Sequence, residues 1–234
     1  MQSTRSHLAL IVPASNTVME PDFHVKGADF TWTVSTWRIF LESVTREAEV
    51  RMLEEELPRC LAQITTTEPD LVVFGCTSAG SLGGLGNDRQ MIDDIRTRTG
   101  ASVVTVISSM LAELAAIGPR RVAVFTPYTE ELTSSVTNCV TEAGYEIACA
   151  KGMGLLDNGD IGRVTPAQIT DFVKTGLSDV SADCVFLSCT NWRAVEAIDA
   201  LRSALDIPVL SSNQVTLKAS RREVSSTPSI PQTN

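Results

Sequence analysis

Leu71-Val-Val-Phe-Gly-Cys-Thr-Ser78 reads as a strand that runs straight into a cysteine, and Cys184-Val-Phe-Leu-Ser-Cys-Thr-Asn191 repeats the pattern 113 positions later. Short, continuous apolar runs of this kind mark strands buried on both faces, as in a parallel sheet covered by helices. Working outward from the first run, residues 8–12 (Leu-Ala-Leu-Ile-Val) and 33–39 read as strands, and 102–107 as a fourth. Residues 47–65 carry Val50, Leu53, Leu57, Leu61 and Ile64 at helical spacing, and 110–117 forms a helix stopped by Gly118-Pro119. The order then restarts, with strands at 121–125, 146–150, 184–188 and 208–210 and helices at 130–143, 166–177 and 193–205. Strands alternating with helices throughout predict an α/β fold.

The two halves superpose as sequences. Pro13 to Cys76 spans 63 positions and Pro127 to Cys189 spans 62. Each cysteine ends a strand, precedes a threonine and opens a loop into a helix. Each half is expected to close on a strand ending in Ser-Ser, at Ser108-Ser109 and Ser211-Ser212. The expected division is a first lobe over 1–109, a second over 110–211, a helix over 212–222 packing back on the first, and a disordered tail over 223–234. Ligands of open parallel sheets bind at the carboxyl ends of strands, so both cysteines should border one cleft.

Composition excludes several classes. Of 234 residues 43% are hydrophobic and 20% charged, an ordinary globular balance. The net charge of −9 argues against a nucleic-acid partner. No signal peptide and no membrane-length apolar run is read, which predicts a cytoplasmic protein. The six cysteines show no C-x-x-C pair and only two histidines accompany them, so neither a metal site nor a disulfide framework is expected. Cys60, Cys139, Cys149 and Cys184 read as structural thiols. Cys76 and Cys189 stand apart by their strand-end setting. A helix N-terminus contributes about 0.3–2 kcal/mol toward an anion. At its upper end that would make a thiolate abundant without a histidine, and neither His7 nor His24 sits where a base would be needed.

Other segments are read as follows. Residues 13–17 (Pro-Ala-Ser-Asn-Thr) form either an anion-binding turn or a helix cap on Ser15 or Asn16. Tyr128 follows the first strand of the second half, and Asn158 lies in a glycine-rich loop from which it can turn inward. Gly80 to Asn87 matches neither phosphate-binding loop pattern and is expected to be a mobile lid. Trp192 is expected to pack structurally.

Val12-Pro-Ala-Ser-Asn-Thr17, Gly75-Cys-Thr-Ser78, Thr126-Pro-Tyr128, Asp157-Asn158 with Ile161-Gly-Arg163, Ser188-Cys-Thr-Asn191 and Ser211-Ser-Asn-Gln214 occur in order along the chain. With these motifs the sequence resembles the maleate isomerase and arylmalonate decarboxylase branch of the aspartate/glutamate racemase superfamily. The resemblance implies two pseudo-symmetric Rossmann-like lobes, each with a four-stranded parallel sheet flanked by helices. It further implies a site without metal or cofactor, and homodimers or larger homo-oligomers. Arylmalonate decarboxylases resemble one-cysteine enzymes, whereas the isomerases share both thiols. Carried over by position, Cys76 is the nucleophile, Cys189 its acid/base partner, and Asn16, Tyr128 and Asn158 hold the carboxylates of a small dicarboxylate. Thr77, Ser78 and Thr190 of the two cysteine turns join them as substrate-binding residues. The implied reaction is cis–trans isomerisation of maleate. Residues 79–86 depart from the isomerase pattern, which keeps two alternatives open: a two-cysteine amino-acid racemase of the ectoine-utilisation type, and an arylmalonate-type decarboxylase.

Overall fold

The computed structural model describes residues 6–26 and 32–226. The first sheet has the order β2-β1-β3-β4, formed by β1 (Ser6–Pro13), β2 (Trp32–Ile39), β3 (Leu71–Phe74) and β4 (Ser102–Thr105). The second has the order β6-β5-β7-β8, formed by β5 (Arg121–Thr126), β6 (Glu146–Gly152), β7 (Cys184–Leu187) and β8 (Val209–Ser211). Every pairing is parallel. All four residues of β3 and of β7 are buried, as their unbroken apolar sequences require. Two like sheets flanked by helices are therefore present, and each reverses its winding direction at its second strand.

The helices are α1 (Met19–Lys26), α2 (Arg46–Arg51), α3 (Leu57–Ile64), α4 (Thr77–Ser81), α5 (Gly84–Thr99), α6 (Val106–Ile117), α7 (Glu130–Glu142), α8 (Asn158–Arg163), α9 (Pro166–Gly176), α10 (Ala194–Leu205) and α11 (Ser212–Ser226). Residues 47–65 do not form the single regular helix that their spacing predicts. Pro58 has no N–H to offer and its ring crowds the carbonyl four residues back. Residues Met52–Glu56 widen into a π turn, closed by the Leu57 amide on the Met52 carbonyl, and α3 restarts with Pro58 in its first turn.

Three further expectations are corrected. The strand at 102–107 ends at Thr105, because Thr105 and Ser108 form a reciprocal capping box that starts α6. Ser108-Ser109 therefore lies inside a helix, whereas Ser211 ends β8, and the two Ser-Ser pairs are not equivalent. Residues 80–87 are not a lid: Gly80, Ser81 and Leu82 are buried, and Gly83 and Gly84 (φ 77° and 73°) turn the chain from α4 into α5. Both helices pack against α7 of the other half.

The chain closes by crossing over. α11 follows β8 of the second sheet yet packs on α6, β3 and β4, and its Leu217 joins Leu8, Leu10, Leu71 and Val73 in one apolar cluster. It runs on through residues 223–226, the start of the stretch expected as a tail; residues 227–234 lie outside the described residues. No helix among the described residues is long and apolar enough to cross a membrane.

Candidate active site

Four strand ends meet where the two sheets reverse their winding: those of β1 and β3 in the first, and of β5 and β7 in the second. They deliver the turn at 14–17, Cys76, Tyr128 and Cys189 respectively. Gly75 explains the close approach on the first side. Its amide bonds the Ile11 carbonyl, and a Cβ there would lie 2.5 Å from Met19 Sδ and 2.8 Å from the Ile11 oxygen. Cys76 is extended (φ −137°, ψ 112°) and immediately precedes α4. Cys76 and Cys189 are 5% and 4% exposed, and both join one buried cluster with Tyr128.

The sulfurs differ in their partners. Cys189 Sγ accepts from the Asn191 amide at 3.3 Å, and the Tyr128 hydroxyl and Trp192 amide also favour its charged form. Cys76 Sγ lies 3.8 Å from Ser78 Oγ, and the Ala79 amide also favours its charged form. These donors do not make either thiol acidic. Burial pushes Cys189 up to about 12, against the pull of Tyr128 and the amides. Burial first, then the charge of Glu49, pushes Cys76 well above the ordinary thiol range. The expectation of an abundant thiolate is therefore overturned. α4 is only five residues long, and desolvation of a fully buried sulfur outweighs what one short turn of amides returns. Tyr128 is also raised, by burial and then by Cys189.

The remaining residues nominated from sequence come together here, mostly as braces between the halves. Asn16 is fully buried; its Oδ1 accepts from the Val18 and Met19 amides at 3.0 Å, starting α1, while Nδ2 donates to Thr190 Oγ1 at 3.0 Å. The helix cap and the candidate site residue are thus one side chain, with a second N–H on Nδ2. Thr190 Oγ1 donates to the Gly75 carbonyl at 2.9 Å, and Thr77 Oγ1 pairs with Ser212 Oγ at 2.9 Å. Asn158 Nδ2 donates to Ser15 Oγ at 2.8 Å. Trp192 is fully buried with its ring edge-on to Phe172, the packing role expected of it.

Sequence reasoning missed two residues. Asn191 ties three segments, accepting from the Thr17 amide and donating to the Asn158 carbonyl at 2.6 Å. Its place beside Cys189 in a repeated motif was the available signal. Glu49 on α2 is 0% exposed, and its Oε1 accepts a hydrogen bond from the Ser78 hydroxyl. Burial pushes its carboxyl up to about 8. No sequence signal marks it, since it lies among Glu47, Glu54, Glu55 and Glu56 in one acidic stretch.

The chain matches the model of the arylmalonate decarboxylase family over residues 8–232. A maleate isomerase of Geobacillus stearothermophilus is 27% identical over 218 residues, covering 88% of this chain and 86% of that protein. Among solved structures, a maleate isomerase of Pseudomonas putida with maleate has a TM-score of 0.86 at 22% identity, covering 94% of this chain and 92% of that one. A maleate cis–trans isomerase of Nocardia farcinica, as a cysteine-to-serine mutant with a covalently bound succinylcysteine intermediate, also has a TM-score of 0.86, at 21% identity and covering 94% and 93%. At these identities the structural likeness speaks for the fold.

Proposed function

The chain belongs to the arylmalonate decarboxylase family, and from that premise we propose that it is a cofactor-independent isomerase converting maleate to fumarate. The observation that carries this is the pair of buried thiols at pseudo-equivalent strand ends, Cys76 and Cys189, grouped with one tyrosine. A one-thiol decarboxylase has no use for the first cysteine.

The Cys76 thiolate adds to one alkene carbon, and the charge moves onto the neighbouring carbon and its carboxylate. The former double bond is now single and rotates. Expulsion of the thiolate then gives the trans product. Cys189 keeps its proton at neutral pH, because burial holds it up to about 12. It therefore serves as the acid that steadies or protonates the second carbon, with the Tyr128 hydroxyl behind it. Asn16, Asn158 and Tyr128, with the amides and hydroxyls of Thr77, Ser78 and Thr190, hold the two carboxylates. In the cell we expect a cytoplasmic homodimer or larger homo-oligomer.

Turnover of maleate in deuterium oxide tests the reaction class. Racemisation must break an α-carbon–hydrogen bond and returns one deuterium per inverted product. Isomerisation by addition and elimination need break no substrate carbon–hydrogen bond, and protonation by Cys189 followed by loss of either hydrogen gives only partial label, so fumarate should form with well under one deuterium per molecule. Stoichiometric labelling of an amino acid with no turnover of maleate would establish the racemase instead, and release of carbon dioxide from an arylmalonate the decarboxylase.

Binding of succinate, which cannot react, tests the carboxylate ligands. Asn16→Ala removes a donor to a charged group, worth about 1.5–3 kcal/mol, so Kd should rise roughly 10- to 100-fold by calorimetry. An unchanged Kd would remove Asn16 from the site.

A further inference from the structure

Cys76 cannot attack until its proton has left, and neither histidine is placed to take it. His7 stands at the start of β1, bonded to Ser35 Oγ, and the side chain of His24 on α1 is 50% exposed. A continuous path leads elsewhere. Cys76 Sγ is 3.8 Å from Ser78 Oγ, and Ser78 Oγ donates to Oε1 of the fully buried Glu49. The other carboxyl oxygen, Oε2, is buried and has no hydrogen-bond partner. A carboxyl kept out of water is uncommon, and one with an oxygen left unbonded there is costly.

We propose that Cys76, Ser78 and Glu49 form a proton relay in which Glu49 is the terminal acceptor of the nucleophile's proton. The S–H bond of Cys76 breaks as Ser78 Oγ takes its proton. Ser78 passes its own hydroxyl proton to Oε1, leaving a thiolate, an unchanged serine and a neutral carboxylic acid. One negative charge is moved rather than a second created. That matters because ionising Cys76 beside a charged Glu49 would set two anions together in a water-poor space. The transfer also removes a carboxylate from the neighbourhood just as a dianionic substrate must be held. When the thiolate is expelled from the adduct, the same path returns the proton.

The titratable groups facing Glu49 are Cys76, ahead of α4, Cys189, after β7, and Tyr128, after β5; its charge raises all three. Its own carboxyl is set chiefly by burial, with Ser78 pulling the other way. With its carboxyl near 8, about a tenth of Glu49 is ionised at pH 7. The relay therefore becomes competent as pH rises through 8.

The proposal rests on the isomerase scheme only for the role of Cys76, and its test needs no substrate. The rate of Cys76 alkylation by iodoacetamide, mapped by mass spectrometry, is followed from pH 6 to 10 in the wild type, Glu49→Gln and Ser78→Ala. The wild-type rate should rise with an inflection near pH 8. Both variants should lose that inflection and, at pH 8, alkylate Cys76 at least about tenfold more slowly. A bystander charge predicts the reverse sign, since removing Glu49 would then free the thiol. Equal or faster alkylation of Cys76 in folded Glu49→Gln overturns the relay, and so does an unchanged rate in Ser78→Ala, which keeps Glu49 in place. Alkylation of Cys139 and Cys184, both fully buried, reports any unfolding. Failure to turn over maleate would overturn the isomerase scheme and leave this measurement unaffected.

Discussion

Cys76→Ala should lower kcat for maleate by at least about 1000-fold, because the adduct that converts a rigid double bond into a rotatable single bond can no longer form. Cys189→Ala should be impaired on a similar scale, but for a different reason: the nucleophile remains while the second carbon loses its acid. The two failures are separable. Incubation of Cys189→Ala with maleate should leave a Cys76 peptide heavier by one maleate, and Cys76→Ala should leave none. An adduct on Cys189 with Cys76 unmodified would reverse the two roles. Cys139, fully buried on α7, provides the contrast. Cys139→Ala should cost on the order of 1 kcal/mol of stability through the small cavity it leaves, with kcat unchanged within about twofold.

Glu49→Gln should be more stable than the wild type at pH 9 and no more stable than it at pH 5. A carboxyl near 4.3 in the unfolded chain and near 8 in the folded one is held neutral by the fold. Its contribution is therefore intact below about pH 4, declines as pH rises between the two values, and is fully lost above 8. Each unit is worth about 1.4 kcal/mol, so the charge costs on the order of 5 kcal/mol at pH 9. Glutamine never charges and still offers Ser78 an acceptor. Its amide N–H groups replace an unbonded oxygen with unbonded donors, at about 1–3 kcal/mol. The net gain should be about 3 kcal/mol by urea denaturation at pH 9. The same stability difference at both pH values would mean that the fold does not raise the carboxyl of Glu49. A residue that weakens the protein and quickens its thiol is the pattern expected where function sets the composition.

The sheets and the pairing of the cysteines were legible because both are written locally. Buried parallel strands are unbroken apolar runs, and Leu71 to Phe74 and Cys184 to Leu187 leave no other reading. The start of α6 was misread because Val106 and Ile107 extend the apolar run of β4, while the capping box that starts the helix is spelled by Thr105 and Ser108 on either side. The glycines at 80–86 suggested mobility, but glycine also permits close packing, and here α4 and α5 press on α7. Glu49 was out of reach for a deeper reason. Whether a glutamate faces water depends on what lies across from its helix. That is decided by Ser78, 29 positions away and on another element. The thiol acidities failed likewise: position relative to a helix is local, whereas burial is a property of the whole fold.

The duplicated architecture gives the centre an approximate dyad, with a cysteine–threonine turn on either side. Maleate and fumarate are themselves symmetric about the bond that must turn, so a strictly symmetric centre could not say which carbon is attacked. Glu49 breaks the tie. The first half sets a carboxyl in a helix that follows its β2; the second half, after β6, sets the neutral amide Asn158 at the start of α8. The handedness of the chemistry, with one sulfur ready to give up its proton and the other to keep it, would then reside in this difference between the two halves, together with the tyrosine that acts on the second sulfur.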